Sequence, residues 1–190
     1  MKKSIGPKTL AFPTPVWIIG SYDSNDKPNG MAVAWGGICC SKPPCVTVSL
    51  RKATYSYQCL MDRQAYTVNI FSEKHVAEAD YFGIASGRDR DKFSDTGLTP
   101  IKSELVDAPY IAEAPLILEC NLIHTHEIGL HTQFIGEILD VKVDEEVLGD
   151  NNLPDLDKVK PIIYAPTRYA YHGAGQYLGK AYEIGKKFGR

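Results

Sequence analysis

Two extended segments past the middle of the chain constrain its fold more than any other feature. Pro115 to His126 and His131 to Val143 both read as strands, joined around Ile128-Gly129. The second alternates, with Phe134, Ile135, Ile138, Leu139, Val141 and Val143 set among polar residues, the period of a pleated strand with one buried face. Strands in ordinary sheets run to about 5–6 residues. A pair this long has to bend, and a bent hairpin suits a closed sheet in which one strand serves two halves of a barrel.

Shorter elements surround this pair. Val16 to Tyr22 is β-branched and aromatic and predicts the first strand. Asp23 to Gly30 is polar, and Asn29-Gly30 predicts a hairpin turn that returns through Met31 to Trp35, with Gly36-Gly37 breaking that strand. Cys45 to Arg51 predicts a half-buried strand. Thr54 to Arg63 has helical spacing with Thr54 at the N-cap. Ala65 to Phe71 predicts another strand, and Ser72 a cap for a helix to about Phe82. After an acidic excursion from Asp144 to Pro161, Ile162 to His172 predicts a final strand and Ala181 to Phe188 a short helix. The expectation is a single domain over residues 1–190, mainly β: a six-stranded antiparallel Greek-key barrel with a few peripheral helices.

Composition narrows the function classes. With 44% hydrophobic and 23% charged residues among 190, the chain has a core to bury. A net charge of -2 without a basic cluster argues against nucleic acid as partner. Lys8, Pro13 and Pro15 interrupt the basic N-terminus before any apolar run forms, so neither a signal peptide nor a membrane span is expected. An odd set of five cysteines then reads as reduced thiols in a cytoplasmic protein. Cys39, Cys40 and Cys45 lack zinc-site spacing, and adjacent strand residues point to opposite faces; buried structural thiols are expected. His124 and His126 share a strand face near His131, but no carboxylate is suitably spaced, so no metal is expected.

Two places carry the chemistry of anion binding. Arg51, Lys52 and Thr54 stand where a strand ends and a helix begins, a position open to two readings: a phosphate grip, or an ordinary N-cap beside a solvated basic pair. The polar, glycine-punctuated stretch from Gly83 to Thr99 is long for an idle connection, which makes it a candidate functional loop. Within it Ser86-Gly87 offers a hydroxyl and close backbone approach, and Lys92 a charge.

Four blocks in this order resemble the flavin reductase-like FMN-binding split-barrel family, nearest to its flavoredoxin branch. They are Met31 to Cys40 (MAVAWGGICC) running on to Pro44, Val48 to Tyr55 (VSLRKATY), Phe82 to Phe93 (FGIASGRDRDKF) and Gly129 to Ile138 (GLHTQFIGEI). In the fourth, Leu130 stands where the family often has an acid. The resemblance covers nearly the whole chain, from Thr14 to Gly179.

The resemblance implies FMN as cofactor. It places Arg51, Thr54, Ser86, Gly87 and Lys92 at the phosphate end. It places Met31, Ala32, Val33, Ala34, Trp35 and Ser49 along the ring, with His131 near the flavin as a possible catalytic group. The implied function is a redox protein passing electrons through bound FMN to or from partner proteins. The alternatives are a reductase in which NAD(P)H feeds the flavin, which leaves as product for a partner, and a non-catalytic flavin- or haem-binding barrel. No GxGxxG fingerprint occurs, so nicotinamide would stack on the flavin directly. A homodimer is expected, with FMN near an interface that uses Tyr164, Tyr169, Tyr171, Tyr177 and Tyr182.

Overall fold

The structure, a computed structural model, describes residues 1–189. Seven strands form one antiparallel sheet: β1 (Trp17–Tyr22), β2 (Pro28–Val33), β3 (Gly36–Ser41), β4 (Pro44–Arg51), β5 (Ala65–Ile70), β6 (Leu116–Ile128) and β7 (His131–Val143). Their order is β2-β1-β5-β6-β7-β4-β3. β2 and β3 thus lie at opposite ends of the sheet, yet only Ala34 and Trp35 separate them in the chain. Consecutive Cα atoms are about 3.8 Å apart, so Val33 and Gly36 cannot be more than about 11 Å apart. The two ends must meet. The Ser49 N–H donates to the Trp35 carbonyl at 2.8 Å and ties the linker to β4. Counted as one bent strand, β2 and β3 complete the six-stranded split barrel that the sequence predicts.

The long hairpin is β6 and β7, paired from Val143 with Leu116 to His131 with Ile128. Register shifts at Ile135/Gly136 and Ile138/Asp140 mark bulges, and bulges increase local twist, which lets a strand of this length curve. Alternation then sorts side chains to two cores. Ile19, Val46, Val48, Leu60, Tyr66, Val68 and Phe134 fill the barrel. Ile18, one residue from Ile19, joins Phe71, Phe82, Phe93 and Ile111 in a second cluster under the helices. These helices are α1 (Tyr55–Arg63), α2 (Val76–Ile84) and α3 (Lys92–Thr96). No helix among the described residues is long and apolar enough to cross a membrane.

Several local expectations fail for identifiable reasons. Asn29-Gly30 lies inside β2, and the turn comes earlier: Asp23 Oδ1 accepts from the N–H groups of Asn25 at 2.8 Å and Lys27 at 3.0 Å. Gly36-Gly37 opens β3 rather than breaking a strand. Ser72 precedes a 3₁₀ turn (Glu73–His75) without a side-chain capping bond, and α2 starts only at Val76. The final strand is two short ones, Ile163–Ala165 and Ala170–His172, pairing with each other, the first also with Thr14–Pro15. The terminal helix is a 3₁₀ segment, Ile184–Phe188. Cys39 and Cys40 are exposed, whereas Cys45, Cys59 and Cys120 are buried. β3 is an edge strand, so one side of it has no neighbour to cover these thiols.

Candidate functional site

The strand-to-helix junction from β4 into α1 has an unfilled helix start. Thr54 holds the N-cap position with extended backbone, but its hydroxyl donates back to the Arg51 carbonyl at 2.8 Å. Its own N–H donates to the same oxygen at 2.9 Å. No side chain caps α1, and while the Tyr57 N–H donates to the Thr54 carbonyl at 3.3 Å, those of Tyr55 and Ser56 and the positive end of the helix dipole remain available to an anion. This start borders a cleft of about 240 Å³ lined by Met31, Thr54, Ser56, Ser86, Gly87, Arg88 and Lys92 among others.

The far wall of the cleft is the turn after α2. The Ser86 carbonyl accepts from Asp89 N–H at 3.1 Å and Arg90 N–H at 3.0 Å, which folds the turn tightly. A side chain at Gly87 would bring Cβ to 2.4 Å from Asn29 Oδ1 and 2.7 Å from the Tyr55 ring, so only glycine lets the turn press onto α1. Arg88, which sequence reasoning did not single out, reaches across. Its Nη1 donates to the Ala53 carbonyl at 3.1 Å, and its guanidinium lies 5.7 Å from the centre of the Tyr55 ring. Burial and a 2.8 Å hydrogen bond to Asp23 push the Tyr55 phenol up to about 12, so it stays protonated at neutral pH. Of the two basic residues at the junction, Lys52 is held by Glu127 at 2.6 Å. Among the described residues the Arg51 side chain is exposed and has neither an ion-pair nor a hydrogen-bond partner.

Lys92 is turned inward. Its ammonium donates to the carbonyls of Gly30, Ala85 and Phe82, joining β2 to α2 from beneath the cleft. Burial pushes it down to about 8 from an ordinary 10.5. The unfolded chain therefore binds the extra proton between about 8 and 10.5, so this group's contribution to stability rises with pH across that window. Urea midpoints measured from pH 8 to 10 should rise in the wild type relative to Lys92→Met. Parallel profiles for the two proteins would remove Lys92 as the cause.

A second cleft, of about 560 Å³, is lined by Ala34, Trp35, Gly36, Ser49, Ile128 and His131, with Lys8 to Pro15 along one side. Two chain segments run from the first cleft to the second: Met31 to Gly36, and Thr54 back to Ser49. Arg51 stands between the clefts on the latter, its Cα paired with that of His131. Of the ring-side residues expected from sequence, Met31 lines the first cleft, and Ala34, Trp35 and Ser49 the second. The Val33 side chain points into the barrel core, and Ala32 packs on the outer cluster, so either could reach a ligand only through its backbone. His124 and His126 stack 6.2 Å apart on the hairpin, away from both clefts. No group of three His, Cys, Asp or Glu among the described residues is placed to hold a metal ion.

A ligand that fits this surface is anionic at one end and flat at the other. The first cleft supplies uncapped N–H groups, a serine hydroxyl and the Arg88 guanidinium, with Arg51 between the two clefts; the second supplies an indole, small residues and an imidazole. That donor set is suited to a flavin nucleotide.

Comparison with known proteins agrees. Residues 9–173 match the flavin reductase like domain. Flavoredoxin of Desulfovibrio vulgaris (Miyazaki F) is 54% identical, with a TM-score of 0.93 over 97% of this chain and 100% of that one. Flavoredoxin from Methanosarcina acetivorans is 28% identical, with a TM-score of 0.91 over 99% and 100%. The reductase component of an FADH(2)-dependent resorcinol hydroxylase from a Rhizobium strain is 24% identical over 83% of this chain and 80% of its own length. Against two uncharacterised relatives, from Aeropyrum pernix and Archaeoglobus fulgidus, the alignments span 56% and 66% of the relatives' length.

Proposed function

The chain belongs to the flavin reductase-like family, and from that premise we propose that it is a flavoredoxin-like carrier that keeps FMN bound and passes electrons between protein partners. The observation that carries this reading is the pair of clefts spanned by Met31 to Gly36 and Ser49 to Thr54, with the uncapped start of α1 at one end. The bound flavin supplies the redox chemistry. The chain's residues bind, orient and tune it. Arg51, Arg88, Ser86 and the first-turn N–H groups of α1 hold the phosphate, with Thr54 keeping that helix start open by bonding to Arg51 instead. Gly87 brings the turn close enough to act, and Lys92 fixes the floor. Ala34, Trp35, Ser49 and His131 flank the ring, which Met31 meets on the phosphate side.

A second reading is supported by the likeness to a hydroxylase reductase component: NAD(P)H reduces the flavin, and reduced flavin passes to a partner oxygenase. Anaerobic mixing of FMN-loaded protein with NADH or NADPH separates the two. A carrier served by proteins should bleach slowly, over minutes or longer, while dithionite bleaches it at once. Rapid bleaching by a nicotinamide, followed by release of the flavin, would replace the first reading with the second.

We also propose a homodimer with the ring cleft near the interface. Tyr164 and Tyr171 are satisfied within the chain: their rings lie 5.8 Å apart, and Tyr171 donates to Asp80 at 2.7 Å. Tyr169, Tyr177 and Tyr182 are 85%, 75% and 96% exposed, with Leu178 and Phe188 beside them in the same terminal segment. Large amphipathic rings left in water are favoured at interfaces. Light scattering after size exclusion near micromolar concentration should give twice the chain mass. A mass near 21.0 kDa would sink the dimer.

A further inference from the structure

Three of the five cysteines lie on one hairpin, and the flavin site does not use them. β3 and β4 turn through Lys42 and Pro43, so that Cys40 and Cys45 are direct Cα partners across the ladder. Facing residues of antiparallel strands have Cα atoms about 4.5–5.5 Å apart, inside the roughly 4.4–6.8 Å that a disulfide spans. Side chains of directly facing residues project from the same face of the ladder, with Cβ atoms about 4.5–5.5 Å apart. A register shift between Ile38 and Cys40 puts a bulge at Cys39. That irregularity interrupts the strict alternation on which the expectation of opposite-facing Cys39 and Cys40 rests.

We propose that Cys40 and Cys45 are a redox-active dithiol that closes to a disulfide by exchange with a low-molecular-weight disulfide such as oxidised glutathione. Cys40 is exposed on the edge strand and Cys45 is buried beneath it. The Cys40 thiolate attacks one sulfur of the small disulfide, forming a mixed disulfide and expelling one thiolate, which takes up a proton. Cys45 then loses its proton and attacks the Cys40 sulfur, expelling the second thiol. The protein loses two electrons and two protons, and one small disulfide becomes two small thiols. Burial pushes the Cys45 thiol up, which suits a resolving sulfur that reacts only when a mixed disulfide is held against it.

Position indicates regulation rather than structure. The ring closed by this bond runs only from Cys40 to Cys45, and short loops yield the smallest gain from cross-linking. Exposed disulfides are also the readily reduced ones. β3 begins at Gly36, which lines the second cleft. Stapling β3 to β4 therefore stiffens one wall of that cleft without touching the phosphate end.

The test uses the flavin-loaded protein as purified, reduced and then desalted, with oxidised glutathione as the probe. Denatured thiol counts and intact mass should show two of the five thiols lost and two hydrogens removed, with no glutathione retained. Peptide mapping should join Cys40 to Cys45, and dithiothreitol should restore all five thiols. Cys39→Ser should behave like the wild type. Cys45→Ser should stop at a mixed disulfide on Cys40, and Cys40→Ser, which leaves the buried thiol in place, should form no intramolecular bond. Five thiols surviving the treatment, stable glutathione on the wild type, or a bond mapped to Cys39 would each overturn the proposal.

Discussion

Riboflavin should bind this chain roughly a hundredfold to ten-thousandfold more weakly than FMN. The two ligands differ only in the phosphate, so the comparison isolates the first cleft. Charge-assisted hydrogen bonds contribute about 1.5–3 kcal/mol each, and two arginine contacts amount to about 3–6 kcal/mol, at about 1.4 kcal/mol per tenfold. The uncapped start of α1 adds a smaller dipole contribution. Flavin fluorescence quenching at fixed ionic strength gives both dissociation constants, and raised salt should narrow the gap because the arginines face solvent.

Single substitutions divide this effect. Arg51→Ala should weaken FMN about tenfold to a hundredfold and leave riboflavin unchanged. Arg51 is the sharper probe, since among the described residues its side chain has no protein partner to lose. Arg88 also donates to the Ala53 carbonyl, so Arg88→Ala must be read against riboflavin to separate lost phosphate contact from a shifted turn. Equal affinity for FMN and riboflavin in the wild type would remove the phosphate assignment altogether.

The barrel was legible because its signals are long and repeated. The alternation in His131–Val143 fixes which residues face inward, and a slip of one residue would put Phe134 in water. Local turn chemistry was less legible because tertiary contacts compete with it. Asn29-Gly30 has the composition of a hairpin turn, but Gly30 packs against the Phe82 ring, while Asn29 Nδ2 bonds Ser56 Oγ at 2.8 Å. An aspartate six residues earlier takes the turn instead. The same competition hid the cleft's far wall. Arg88 opens a run of five charged residues that ends at Lys92, and nothing in the sequence separates it from Arg90. Arg90 pairs with Asp95 at 3.0 Å, whereas Arg88 crosses to Ala53. Lys92 reads from sequence as a second phosphate charge, but the packing of α3 on β2 turns it inward, where backbone carbonyls take its ammonium.

Phe134→Ala should be the most damaging single change to the scaffold, costing about 3–5 kcal/mol of the roughly 5–15 kcal/mol that holds a domain folded. Phe134 is fully buried on β7, with its Cα facing Val48 on β4 and Thr125 on β6. Its ring meets Tyr57 of α1 edge to face, with centroids 5.4 Å apart and planes at 80°. Truncation opens a cavity at the point where three strands and the helix meet, and a barrel closed on itself has little freedom to collapse into it. The urea midpoint should fall while the slope stays constant; Phe134→Leu should cost less than half as much. Because Tyr57 lies in the first turn of the helix whose start frames the first cleft, the folded Phe134→Ala protein should also hold FMN several-fold more weakly, with riboflavin less affected. A double-mutant cycle with Tyr57→Leu should return about 0.5–1.5 kcal/mol of coupling, the worth of an edge-to-face pair. A loss below about 1 kcal/mol for Phe134→Ala, or zero coupling to Tyr57, would mean that α1 is seated by other contacts.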